Sequence, residues 1–296
     1  MLSMAARQST EETHLAQAGS NRRMITTRRL AAILTTVAAA AAVPAVADDT
    51  PVDLELVLAV DVSGSMDEGE RALQRGGYVQ AFQHPEVISA IAGGVYGRIA
   101  VTYVEWAGPR SQEVMIPWRT VDGQASAEGF AAALRAAPTS HIHGTSISGA
   151  LAFASTLFDG NGFAGARQAI DVSGDGPNNM GPPVVPVRDA VVARGVTING
   201  LPLTLHAGGP WGTGYGGLAA GLLDIYYEDC VIGGPGAFLL SVQAPAQLAD
   251  AIRRKLVLEI AGRTPTLQPA QLAQQPPRID CMIGERTRPA WLDENR

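Results

Sequence analysis

The chain has 296 residues, 46% of them hydrophobic and 17% charged, a balance that excludes a disordered polymer and leaves room for one large domain or two small ones. With 22 basic against 28 acidic residues its net charge is −6. There is therefore no general basic field, and nucleic acid is excluded as a partner class.

Residues 1–47 read as a processing signal. Arg28 and Arg29 precede an apolar run from Leu30 to Val43, and Ala45-Val46-Ala47 stands before Asp48. This is the order of a secretory signal peptide, cut after Ala47. The run of 14 residues is shorter than the roughly 20 that a membrane span needs. The pattern counts best from Met24, which makes residues 1–23 an over-long start without structure of its own. Cleavage would remove five basic and two acidic residues and leave a net charge of −9. The expected destination is the periplasm or the exterior, with no stable membrane span in the mature chain. There, the two cysteines, Cys230 and Cys281, most simply form one disulfide; two free thiols are the alternative.

From residue 52 onward, short apolar runs alternate with amphipathic segments. Strands are expected at 54–60, 98–107, 113–118, 167–173, 196–203 and 237–242, several of them apolar on both alternations, as strands covered on both faces are. Helix-type spacing fills 68–92, 125–136, 145–158, 184–194, 216–227 and 245–261. This alternation implies an α/β fold: a doubly wound, mostly parallel, Rossmann-like sheet with helices on both faces. The stretch "EWAGPRSQEV" joins two strands through a Gly-Pro turn with no helix between them, so one antiparallel edge strand is expected. A single domain over 48–262 accounts for the pattern. Residues 263–296 begin with four prolines and four glutamines in "RTPTLQPAQLAQQPPRID" and read as an extended tail pinned through Cys281.

Ligands of such sheets bind outside the carboxyl ends of the strands. Three expected loops leave those ends carrying oxygen donors: "DVSGSM" with Asp61, Ser63 and Ser65, "HIHGTSISGAL" with Thr145, and "DVSGDGPNN" with Asp175. Two carboxylates and three hydroxyls form a hard donor set, suited to Mg²⁺, Mn²⁺ or Ca²⁺ rather than to zinc or copper. Aspartate and serine are also ordinary helix caps, so the first loop alone would carry little weight. The complete set, in this order, carries much more.

These three segments resemble the metal-ion-dependent adhesion site of von Willebrand factor type A domains, whose pattern is Asp-x-Ser-x-Ser, then a distant Thr, then a distant Asp. Residue by residue, Asp61, Ser63, Ser65, Thr145 and Asp175 match it. The resemblance spans about 52–260, and the remainder is similar to an uncharacterised family of exported bacterial proteins with such a domain. It implies that Ser63, Ser65 and Thr145 hold a divalent ion, Mg²⁺ foremost, while the aspartates act largely through water. An Asp or Glu of a protein partner would complete the coordination.

His143, Asn178 and Asn179 are expected as a partner-contact rim. Asp67, Glu68 and Glu70 are expected to cap the first helix. Tyr226 and Tyr227 are expected to pack around the disulfide, and the glycine-rich run 205–217, with Trp211 and Tyr215, to form a surface loop. No Gly-x-Ser-x-Gly elbow is present, so no catalytic residue is assigned. A metal-dependent hydrolase and a purely structural metal site are the alternatives to a binding module.

Overall fold

A computed structural model describes residues 48–138, 144–205, 222–263 and 278–287. The described residues belong to one compact unit, Ala47–Arg296. The signal-peptide segment, His141, His143, Trp211, Tyr215 and the proline- and glutamine-rich stretch lie outside the described residues.

A five-stranded sheet, ordered β4-β3-β2-β6-β7, is built from β2 (Glu55–Asp61), β3 (Ile99–Trp106), β4 (Gln112–Val121), β6 (Gln168–Gly174) and β7 (Thr197–Pro202). All seven residues of β2 and all eight of β3 are buried, because helices cover both faces. Along β2 the side chains alternate between two cores. Leu56, Leu58 and Val60 pack with Tyr78, Phe82, Phe130 and Leu256, whereas Val57 and Ala59 face Trp106, Leu151, Ile198 and Tyr227. Period-two geometry sends successive side chains to opposite faces, so an unbroken apolar run is what a central strand requires.

The first core is closed by α1 (Glu68–Phe82), α3 (Gln124–Ala136) and α7 (Leu248–Ile260), the second by α4 (Ile147–Thr156), α5 (Val184–Ala193) and α6 (Leu222–Tyr226). The β2–β3, β2–β6 and β6–β7 pairs are parallel, and β3–β4 is antiparallel. The expected edge hairpin is present. Pro117 sits in β4, where the register with β3 shifts between Val101 and Tyr103. Lacking an N–H, proline is accommodated at edges and bulges.

Four features differ from expectation. The segment 68–92 is two helices, because α1 ends at Phe82 and Pro85 starts α2 (Pro85–Ala92) with His84 as its N-cap; a proline serves the first turn of a helix and breaks its interior. The run 237–242 does not form a regular strand. It meets β7 only through isolated bridges, Gly200 to Leu239 and Leu203 to Val242, while the Phe238 N–H donates to the Asn199 side chain at 3.0 Å. Pro202, at the end of β7, offers that edge no N–H. Finally, β1 (Thr50–Val52) and β5 (Phe163–Gly165) form a separate parallel pair, and α8 (Ile283–Thr287) follows Cys281; neither was expected.

One buried charge cluster lies under α7. The Lys255 ammonium, fully buried, sits 2.5 Å from Asp171 Oδ1 and 2.6 Å from Glu259 Oε1, and Asn199 Nδ2 donates to that same Glu259 oxygen at 2.9 Å. With two acids sharing one ammonium, burial and the Asp171 charge push the Glu259 carboxyl up to about 7.

Candidate metal centre

The carboxyl ends of β2 and β6 are adjacent in the parallel pair, so the chain leaving β2 at Asp61 and the chain leaving β6 at Gly174 emerge side by side. Asp61 Oδ1 accepts the Ser63 N–H at 2.7 Å, which curls the first loop back on itself. The Ser63 and Ser65 hydroxyls are 3.0 Å apart, and the Ser65 hydroxyl donates to Asp175 Oδ1 at 2.7 Å. Four of the five candidate residues are thus joined in a single chain of contacts running from the first loop to the third. Ser63 is buried and Ser65 exposed, giving the cluster a buried floor and an open mouth.

Thr145 is tied to Asn179, four residues beyond Asp175. Its N–H donates to Asn179 Oδ1 at 3.0 Å, and its carbonyl accepts the N–H groups of Asn179 and Met180 at 2.9 and 3.1 Å. The next residue, Ser146, donates its N–H to the Ala107 carbonyl just beyond β3 and caps α4 by accepting the Gly149 N–H at 3.1 Å. Asp67 and Glu70 form a reciprocal capping box at the start of α1, as their place in the sequence implied.

Asn178 and Asn179 do not form a rim. Both are buried, at 0% and 3% exposure, because their side chains hold loops together. Asn178 Oδ1 accepts the Ser148 N–H at 2.9 Å while its Nδ2 donates to the Pro182 carbonyl and to Glu285. His143, the third residue of that expected rim, lies outside the described residues.

The electrostatics of the floor are strained. Asp61 is fully buried, and its Oδ2 has no hydrogen-bond partner. Burial first, then the charge of Asp175, pushes the Asp61 carboxyl well above the usual carboxylate range. A methyl group placed on Gly174 would lie 2.8 Å from Asp61 Oδ2 and 2.8 Å from the Tyr227 hydroxyl, so these two oxygens converge behind the site where glycine leaves room. The Tyr227 hydroxyl is also buried without a partner, and burial followed by the charges of Asp61 and Asp175 raises its pKa. From its place in the sequence Tyr227 is expected at the disulfide. Its neighbour Cys230 does pair with Cys281, at a Cα–Cα distance of 5.6 Å, but the π-helical turn Tyr227–Val231 also places the Tyr227 ring under Asp61. Only its position beside Tyr226 and Cys230 marked it in the sequence.

The residues present fit a hard divalent cation. The donors are hydroxyls and carboxylates, one buried carboxylate oxygen is orphaned, and two acids face each other across a short hydroxyl bridge. A cation would satisfy all three conditions. Among the described residues no group of three or more His, Cys, Asp or Glu is placed to hold a metal.

A central β2 flanked by parallel β3 and β6, an antiparallel edge at β4 and three loops converging at the carboxyl edge define a von Willebrand factor A-like fold. A family model described as "Protein of unknown function (DUF1194)" matches residues 51–264, and the chain belongs to that family. None of the curated proteins matches it. Among solved structures, the chain is similar to proximal thread matrix protein 1 from the mussel byssus, at 14% identity over 73% of this chain and 49% of that one, with a TM-score of 0.53. It is also similar to the same mussel protein with a zinc-occupied MIDAS motif (13% identity, 73% and 47% covered, TM-score 0.49). A third similarity is to a von Willebrand factor type A structure from Catenulispora acidiphila (15% identity, 71% and 43% covered, TM-score 0.47). The first likeness shows the fold. This chain spans about half the length of the mussel protein.

Proposed function

We propose that this protein is an exported module that binds a protein partner through a divalent cation, and that it is not an enzyme. Ser63, Ser65 and Thr145 would hold the ion directly, with Asp61 and Asp175 acting through water. Mg²⁺ is the preferred ion, with Mn²⁺ or Ca²⁺ able to replace it. Neutral hydroxyl ligands donate little charge, which leaves the ion electrophilic toward a carboxylate of the partner. The observation that carries this reading is the chain Asp61–Ser63–Ser65–Asp175, whose buried end is a carboxylate with one oxygen lacking a partner. The proposed mature domain is 48–262, preceded by a signal peptide and followed by a tail tied through the disulfide.

The test is thermal unfolding with and without Mg²⁺ or Mn²⁺. Millimolar ion raises the melting temperature of the wild type and leaves that of Asp61→Ala unchanged; an equal rise in both proteins refutes the site. Capture of a binding protein from envelope extract that is lost with chelator separates a binding role from a purely structural ion. Turnover in an esterase and phosphatase screen that disappears in Asp61→Ala overturns the binding reading in favour of a hydrolase.

A further inference from the structure

The described end of the tail does more than close a disulfide. Arg278 and Cys281 anchor it to the Tyr227–Val231 turn. The Arg278 N–H donates to Asp229 Oδ2 at 2.6 Å, its guanidinium reaches Asp229 Oδ1 at 2.8 Å and Glu228 Oε2 at 2.5 Å, and Cys281 is bonded to Cys230. From that anchor α8 lies against the loop that carries Asp175. Glu285 Oε1 accepts from Asn178 Nδ2 at 2.7 Å. Gly284 is packed so closely that an added methyl group would fall 2.1 Å from the Asn178 carbonyl oxygen and 3.0 Å from the Pro177 ring. The Tyr226 hydroxyl accepts the Asn178 N–H at 3.2 Å and donates to the Cys281 carbonyl at 3.5 Å. The tail therefore grips one buried asparagine, and that asparagine also fixes the start of α4 through the Ser148 N–H, three residues beyond Thr145.

We propose that the segment 278–287 is a clasp that positions the ion-binding loops, with Glu285 and Asn178 as its positioning residues and the disulfide as its hinge pin. The proposal rests on the divalent-ion reading of the site. Glu285 touches no candidate ligand; it orients the Asn178 carboxamide, whose two ends span the Asp175 loop and the entry to α4. Without the clasp the sheet and the first core are complete, since they rest on strands and helices that precede residue 262, and the second core keeps all its buried members while losing the packing of Ile279, Cys281 and Ile283 on its margin. What is lost is the fixed spacing between Thr145 and Asp175.

The experiment measures Mn²⁺ affinity by calorimetry at 20 °C, and amide exchange of residues 175–180, in the full mature chain. The variants are Glu285→Ala, Glu285→Gln and Cys230→Ser/Cys281→Ser. Glu285→Ala and the disulfide-free protein are expected to bind Mn²⁺ about tenfold more weakly, the scale of one lost hydrogen bond to a charged group. Their 175–180 amides exchange faster while β2 and β3 keep wild-type protection. Glu285→Gln, which retains an acceptor for Asn178, is expected to restore wild-type affinity. Wild-type affinity and wild-type exchange in Glu285→Ala overturn the clasp and leave the ion site standing. A wild-type protein that binds no Mn²⁺ overturns the ion reading, and the exchange measurement, which needs no ion, still decides whether the clasp holds the loop. Should the disulfide-free protein not fold, the two Glu285 variants carry the test.

Discussion

Replacing Glu259 by glutamine isolates one buried proton. In the native protein Glu259 shares the Lys255 ammonium with Asp171, and burial together with the Asp171 charge raises its carboxyl from an ordinary 4.5 to about 7. The folded state therefore holds a proton that the unfolded chain releases between these two values. This contribution to stability is fully present below pH 4.5 and is lost as the pH rises through 7. The gap is equivalent to about 3 kcal/mol in all, most of it lost between pH 5 and 8. At 2–4 °C per kcal/mol for a domain of this size, that is a fall of roughly 5–10 °C in melting temperature. Glu259→Gln keeps the side-chain shape and the acceptor for Lys255 and Asn199 but cannot titrate. Calorimetric melting of both proteins at pH 5, 6, 7 and 8, without divalent ion, reads the difference directly. The two should melt close together at pH 5, and the variant should melt higher by that amount at pH 8. A constant gap between them across this range refutes the reasoning.

Two further substitutions probe the same interior and the floor of the site. Lys255→Met removes the ammonium between two buried acids and is expected to cost about 3–5 kcal/mol at pH 7.5, measured by urea unfolding, with a smaller loss at pH 5 where the acids take up protons. Gly174→Ala places a methyl group 2.8 Å from both Asp61 Oδ2 and the Tyr227 hydroxyl. An overpacking cost of about 1–3 kcal/mol is expected, together with loss of the Mg²⁺-induced rise in melting temperature. Full retention of that rise argues against Asp61 lying at the ion.

Much of the architecture is legible in local pattern. "LVLAV" reads as part of a strand covered on both faces, since apolar residues at successive positions satisfy two cores at once, and it lies in the middle strand of five. The Gly-Pro turn marks the antiparallel edge for the same local reason. Pro85 was equally local, and its meaning depends on whether a proline falls inside a helix or at its first turn. The run 237–242 is different. Its composition suits a strand, but whether it pairs is decided by the strand beside it, and β7 ends in Pro202 and offers the Asn199 side chain in place of a regular ladder.

The candidate site divides along the same line. The order Asp61, Ser63, Ser65, Thr145, Asp175 stands in the sequence because a loop at a strand end must carry its donors within a few residues of that strand. The second layer has no such constraint. Asn178 looks like a surface residue of a polar loop, and its burial follows from α4, α6 and α8 arriving from positions 30, 48 and 107 residues away in the chain. Lys255 reads as one charge on an amphipathic helix until β6 supplies Asp171 beneath it. Tyr227 reads as a partner of Cys230 until the packing of β2 against β6 brings Asp61 over its hydroxyl. The sequence by itself determined the alternation of elements and the donors at the strand ends, because hydrophobic period and loop chemistry act over a few residues. Tertiary structure alone decided which polar side chains lost their water, because burial depends on what the rest of the chain places on top.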